Sequence, residues 1–484
     1  MRAIVIGAAV FLVLVATASG SRAQTPAVGV TQTATEAPLP AGAIREKGSS
    51  LSQVKCLSAL ACVATGSYRT PKGRFLALDE SGGKWKPQKT PAGVGVYSLA
   101  CPSMGRCVGT SGVGEQSTHV LNQEGPAWQS AAVRLPADAP PTPWPYLPSV
   151  SCARAVSYCT AVGSYQIGFA KPLLVTESGG TWGAGIAPQL PANAATTRDP
   201  NIPTVGNPLS LVACPSSGNC TAVGTYTSKD AEAGEYPWVL DETAGQWGPG
   251  IGAQLPADSN VLGQSERSGT SPFFGFTGLA CPSAGNCTAV GGYWGHVDAE
   301  QGLILTERNG TWSRGIRAPL PPGAVPNNES NEFNSPIASV SCAAPDDCAA
   351  VGWYVTKPSG THHGLLLTER GGAWKASALV LPAGAKAPGG VFLTSVTCSS
   401  RGNCVAIGYY GNHGKTYGLI ARERGGKWGR AIRAAVPRNA AAAARSHTFL
   451  RAVSCASASR CTVVGTYADR SGAYQGLILS LRLR

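Results

Sequence analysis

Beyond its first two dozen residues the chain has no apolar run long enough to cross a bilayer as a helix, so a bundle of membrane-spanning helices is not expected. Charge is scarce, at 13% of residues, and Lys and Arg never form a run of five. No nucleic-acid reader motif is present, and nucleic acid is not an expected partner. Neither Gly-x-Ser-x-Gly nor His-Glu-x-x-His occurs, so no nucleophile elbow or zincin site is predicted. "GYYGNHGKT" (Gly408 to Thr416) mimics a phosphate loop, but Tyr409 stands where Gly is required and β strands flank it. No cofactor is expected.

What is abundant is Gly (61), Pro (36) and Cys (16), within 43% hydrophobic residues over 484 positions. That composition suits a folded, turn-rich protein. The N-terminus, "MRAIVIGAAVFLVLVATASGSRAQTP", has Arg2, an apolar run from Ala3 to Ala18, and small residues at Ser21 and Ala23. It reads as a signal peptide over residues 1–23, which predicts a secreted or extracytoplasmic protein with no transmembrane segment in the mature chain. Net charge is +13, or +11 without Arg2 and Arg22. This charge favours solubility and anionic surfaces.

The sixteen cysteines form eight local pairs: Cys56/Cys62, Cys101/Cys107, Cys152/Cys159, Cys214/Cys220, Cys281/Cys287, Cys342/Cys348, Cys398/Cys404 and Cys455/Cys461. Seven pairs enclose five residues and the third encloses six. Even count, constant spacing and a secretion signal predict eight disulfides. Zinc would want closer spacing and four converging ligands, so no metal is expected.

Each pair opens one copy of a repeat. A strand-like "CTAVGTY" or "CAAVGWY" follows the pair, then a variable polar stretch, then "GLILTE" or "PLLVTE". A Gly-rich turn and a Trp come next, and a segment such as "APLPPGA" closes the unit. Four short strands, a to d, are predicted per unit, with strand d running from the Trp to Leu-Pro. In strand c, Leu303, Ile304 and Leu305 are apolar in succession, which demands cover on both faces. Four-stranded units 45 to 67 residues apart and buried on both faces are the blades of a β-propeller.

The eighth copy ends at "GLILSLRLR" without strand d, while Ala37–Ala43 reads "APLPAGA" ahead of any blade. The expectation is an all-β, eight-bladed propeller filling residues 24–484. Residues of about 30–44 complete the last blade and leave no open edge.

With its Gly-x-Trp turn after strand c, the repeat resembles the Asp-box, or BNR, repeat of the sialidase-like propeller superfamily. It is also similar to secreted actinobacterial-type repeat proteins. The Asp-box reads Ser-x-Asp-x-Gly-x-Thr-Trp; here "TERNGTW" (Thr306 to Trp312) has Asn309 beside Gly310, and "TESGGTW" (Thr176 to Trp182) has no Asp in the turn. A sialidase further implies an arginine triad and a Tyr–Glu pair. No motif places them here, so no catalytic residue is assigned.

Residues repeated in every blade read as scaffold. Trp85, Trp128, Trp182, Trp247, Trp312, Trp374 and Trp428 share one slot. The acids Glu80, Glu124, Glu177, Glu242, Glu307, Glu369 and Glu423 share another and are expected to bond turns within their blades. Residues that break the repeat are the candidates, and they fall in the long b–c and d–a loops, predicted to share one face. The candidate binding residues are Trp144, Tyr146, Tyr236, Trp238, Trp294, His296, Asp298, Glu300, His362 and His413. Trp353, inside strand b, reads as packing. His296 and His413 are expected in neighbouring b–c loops.

Flat aromatic faces beside polar groups suit sugar rings. The leading expectation is a non-catalytic binding propeller, a monomer, with a glycan, cell-wall polymer or extracellular protein as partner. One alternative is a sialidase-like glycan hydrolase, with Asp298, Glu300, Glu329 and Glu332 as its first candidate acids. The other is a structural extracytoplasmic repeat protein.

Overall fold

A computed structural model describes residues 29–70, 74–113, 117–154, 156–196, 206–229, 235–259, 273–295, 300–325, 336–356, 360–442 and 445–484. The signal-peptide reading of residues 1–23 lies outside the described residues. Eight antiparallel sheets, each of four or five strands, follow one another along the chain as the blades of a propeller. Blade 1 comprises Ser49–Ser58, Ala61–Tyr68, Arg74–Ser81 and Lys84–Pro87. Blade 8 comprises Thr448–Ser457, Arg460–Ala468, Tyr474–Leu483 and, as its outer strand, Val30–Glu36. Val30 pairs with Leu483 and Glu36 with Leu477, so the N-terminal segment completes the last blade as its sequence implies. Among the described residues helix is confined to the short turn Arg45–Lys47 and to Arg445.

Burial on both faces of strand c has a direct cause. Leu303 and Leu305 of blade 5 pack among residues of blade 4 such as Val239. Ile304, pointing the other way, packs with Ile337 and Leu365 of blade 6. The period of two along a strand thus serves two inter-blade interfaces at once. Ring closure uses the same device: Ile478 and Val464 of blade 8 pack with Leu51, Leu76 and Leu78 of blade 1.

All eight predicted disulfides form, each joining the a and b segments of its own blade: Cys56–Cys62, Cys101–Cys107, Cys152–Cys159, Cys214–Cys220, Cys281–Cys287, Cys342–Cys348, Cys398–Cys404 and Cys455–Cys461. Each closes a loop of about seven residues, worth roughly 2 kcal/mol in the chain-entropy picture. The turns beside them bond to the c–d turns, as in Gly245 N to Gly218 O at 2.8 Å and Gly310 N to Gly285 O at 2.9 Å. One face therefore carries every a–b and c–d turn. On the other, b–c and d–a loops meet through bridges such as Ala194 with Ser228 and Ala440 with Asp469.

Polar threads join successive blades. The Ser before the first Cys accepts from the next blade's backbone: Cys214 N reaches Ser151 Oγ, Cys398 N reaches Ser341 Oγ and Cys56 N reaches Ser454 Oγ, at 2.9–3.0 Å. The last of these spans the ring closure. Repeated Trp indoles donate to the preceding blade, Trp182 to Asn122, Trp312 to Asp241 and Trp428 to Thr368. The repeated acids do more than cap their own turns. Glu177 accepts from Gly180 N in its own turn, but Glu423 pairs with Arg370 of blade 6 at 2.6 Å, and Glu242 accepts from Tyr158 of blade 3.

Strand d departs from expectation. Instead of running unbroken to Leu-Pro, it is split in several blades, as in Gln246–Trp247 and Ile251–Gly252 of blade 4. In the break, Gly250 N turns outward to the carbonyl of Gln189 in the preceding blade's closing segment, at 2.9 Å. A local kink thereby becomes another inter-blade bond.

Candidate functional site

The structure separates the candidate residues sharply. His296 and Asp298 lie outside the described residues, as do Glu329 and Glu332. Trp238 is corrected to a core residue: it is fully buried, and its indole donates to Pro208 O at 3.3 Å. Two glycines make room for it, since a side chain at Gly224 or Gly250 would collide with the indole. Tyr236 is half-buried against Tyr226, with ring centroids 6.0 Å apart. Trp144 is half-exposed with φ +42°, before the first strand of blade 3. Tyr146 opens that strand, half-exposed and edge-on to Tyr97 at 5.1 Å. His413 is exposed at the tip of the b–c turn of blade 7, with φ +49°. It therefore does not neighbour the b–c loop of blade 5 that holds His296, because blade 6 intervenes. Among the described residues no three His, Cys, Asp or Glu side chains converge as metal ligands.

The paired cysteines are scaffold, and the two halves of a bridge sit differently. The second cysteine is core. Cys107 is buried with Val63 and Leu121, and Cys159 with Leu147 and Val175. Cys220 is buried with Leu209 and Val212, and Cys404 with Val396 and Leu419. Cys62, Cys287, Cys348 and Cys461 are buried in the same way. The first cysteine of each pair instead borders the central channel. Local spacing predicts the bridges but not this division, because the second cysteine is covered by a neighbouring blade.

What the fold does assemble is a crescent of rings on the long-loop face. Trp353 meets Phe392 at 5.8 Å; Phe392 stacks on Tyr409 at 5.4 Å and meets His362 at 5.0 Å. Tyr409 meets Phe449 edge-on at 5.1 Å, and Phe449 and His447 each approach Tyr474 at 6.4 Å. The guanidinium of Arg451 lies 5.8 Å from the Phe449 ring centroid. The chain of rings is continuous across blades 6, 7 and 8. Phe392 and Phe449 lie near the start of innermost strands, at the end remote from the disulfides, so the crescent borders the mouth of the central channel.

Of the candidate residues only His362 belongs to the crescent. Trp353, read as packing, is half-buried and begins it. The signal was present in the repeat. The residue after the Gly of "AVG" is Ser67, Ser164, Thr225, Gly292 and Thr466 in five blades, but Trp353 and Tyr409 in two adjacent ones.

Glu300 begins strand c of blade 5, opposite Trp294, and is buried. Its Oε1 has no hydrogen-bond partner among the described residues. Burial pushes its carboxyl up to about 8, and burial chiefly pushes Glu307 and Glu369 up to about 7. Glu300 thus holds a proton at neutral pH. With the folded pKa above the unfolded one, near 4.3, the unfolded chain releases its proton first as pH rises. Stability falls across that window by about 1.4 kcal/mol per pH unit and levels off above about pH 8. Urea unfolding at pH 5 and pH 8 is expected to show the protein weaker at pH 8. Glu300→Gln should remove on the order of 3 kcal/mol of that difference. An unchanged pH dependence in the variant would mean that Glu300 is ionised in the folded state.

No family model matches the chain, and no curated protein matches it. Solved structures do. A protein of unknown function from Dyadobacter fermentans is 10% identical, with 95% of this chain and 100% of that chain covered and a TM-score of 0.41. Sqt1 of Chaetomium thermophilum, bound to the N-terminus of ribosomal protein L10, is 12% identical over 89% and 96%, with a TM-score of 0.45. A GH74 xyloglucanase from Xanthomonas campestris is 11% identical over 92% and 75%, with a TM-score of 0.41. The chain is an eight-bladed β-propeller. Its eight disulfides suit an oxidising compartment, and no helix among the described residues is long and apolar enough to cross a membrane.

Proposed function

We propose that this is a secreted carbohydrate-binding propeller, whose ligand lies across the aromatic crescent at the channel mouth. The supporting observation is the unbroken series Trp353, Phe392, Tyr409, Phe449 and Tyr474, in which Trp353 and Tyr409 stand where five other blades carry Ser, Thr or Gly. Sugar rings present C–H faces that stack on aromatic planes. Arg451 and the imidazoles of His362 and His447 supply polar groups at the rim for hydroxyls or acid substituents. Secretion through the signal sequence of residues 1–23, a monomeric state and kinship with Asp-box repeats belong to the same reading.

A glycan and wall-polymer array probed with the purified chain tests it. A retained glycan is expected, and Tyr409→Ala or Phe449→Ala should weaken binding about tenfold, near 1.4 kcal/mol per ring. Melting curves check that the variants fold. Retention of no glycan, with capture of a protein ligand instead, would move the crescent to protein recognition.

A second reading, a sialidase-like glycan hydrolase, rests on Glu300 alone. A carboxyl kept protonated at neutral pH is the form a general acid needs. It requires cleaved products that disappear in Glu300→Gln.

A further inference from the structure

The disulfide end of the central channel carries two side chains that the repeat does not call for. Lys55 immediately precedes the first Cys of blade 1, a position held by Ala, Ser or Thr in the seven other blades. Arg154 lies in the a–b turn of blade 3, the one turn with an extra residue between its cysteines. Both line a single cavity of about 580 Å³, walled by the disulfide-proximal halves of all eight innermost strands. Among the described residues no Asp or Glu lines this cavity; the remaining walls are small, apolar and hydroxyl-bearing residues, with Gln53. Among the described residues neither Lys55 nor Arg154 has a carboxylate partner. Both residues are exposed to the channel; desolvation by its walls first, and then the like charge of Arg154, push the Lys55 ammonium below its ordinary value.

Two cations lining one channel without an anion repel each other, and scaffold needs do not explain them. Seven blades build the same position with a neutral residue.

We propose that the disulfide end of the channel is an oxyanion-binding site, in which Lys55 and Arg154 hold one carboxylate, sulfate or phosphate group. The guanidinium offers a planar pair of donors and the ammonium a point charge, a combination suited to a planar or tetrahedral oxyanion. The cavity is within the range of small-molecule sites, so the anion has room to be part of a larger molecule, such as an acidic sugar. The site lies at the other end of the channel from the aromatic crescent and does not rest on the glycan reading.

Titration calorimetry on the full disulfide-bonded chain at low ionic strength tests this, with sodium sulfate and a sulfated disaccharide as probes. Saturable one-to-one binding is expected for at least one probe, weakened tenfold or more by Lys55→Met and by Arg154→Gln. Tighter binding of the disaccharide assigns the site to an acidic glycan, and equal affinity to a free anion. Lys55→Met is also expected to melt no lower than the parent chain in chloride-only buffer, because it removes a repulsion. That separates lost binding from lost folding. Absence of saturable binding for both probes, or binding that both variants leave within twofold, would overturn the proposal.

Discussion

A chain that begins at residue 38 is expected to melt at least roughly 10 °C below the full propeller and to self-associate. The segment removed includes Val30–Glu36, which pairs over seven residues with Tyr474–Leu483. At about 1 kcal/mol net per ladder hydrogen bond, the loss is on the order of 5 kcal/mol before packing is counted. Side-chain bonds are lost as well. Gln32 bridges to blade 7, donating to Arg433 O at 3.0 Å and accepting from Ala435 N at 2.8 Å. Glu36 accepts from Arg45, Asn439 and Tyr467, and Tyr467 is fully buried. Without the strand, Tyr474–Leu483 becomes an open sheet edge rich in Leu, which templates pairing with another chain. Scanning calorimetry and light scattering check both outcomes. Glu36→Gln, which keeps the strand and removes one charge, should cost far less. A truncated chain that melts with the parent and stays monomeric would show that the contacts of blade 8 with blade 1 close the ring unaided.

The parts of this molecule written locally in the chain were legible; those created by register between distant strands were not. Cysteines with five or six residues between them on adjoining strands can only staple a hairpin, and "APLPAGA" ahead of the first blade has no use except in the last. The crescent is a different kind of object. Phe392 and Phe449 begin strands in separate blades, and Trp353 and Tyr409 end others. They become neighbours only because blades sit side by side at a fixed rotation. Trp238 shows the reverse error. Its departure from the repeat looked like a surface feature, yet it stands opposite Gly224 in the ladder and fills the space two glycines leave. Loop position and aromatic character alone do not tell a ring that meets solvent from one that replaces missing side chains.

The same reasoning applied to the Gly of "AVG" yields the second large effect. Gly352→Ala is expected to destabilise the protein by about 3 kcal/mol or more. A Cβ built on Gly352 would lie 1.6 Å from the carbonyl oxygen of Pro336, and the backbone cannot yield by that much. The crowding has a structural source. Strand a shifts register beside this glycine, between Ile337 and Ser339, and the bulge pushes a carbonyl toward strand b. A Cβ built on Gly66, Gly163, Gly224, Gly291, Gly408 or Gly465 would lie 1.8–2.2 Å from the corresponding carbonyl oxygen. Blade 2 supplies the control. There the slot holds Ser111, and strand a, Ser98–Ala100, pairs without a register shift. Ser111→Gly should therefore cost only about 1 kcal/mol, from backbone entropy. Urea unfolding of both variants decides the matter. If Gly352→Ala cost no more than Ser111→Gly, the glycine would be an accident of the repeat rather than a demand of the bulge.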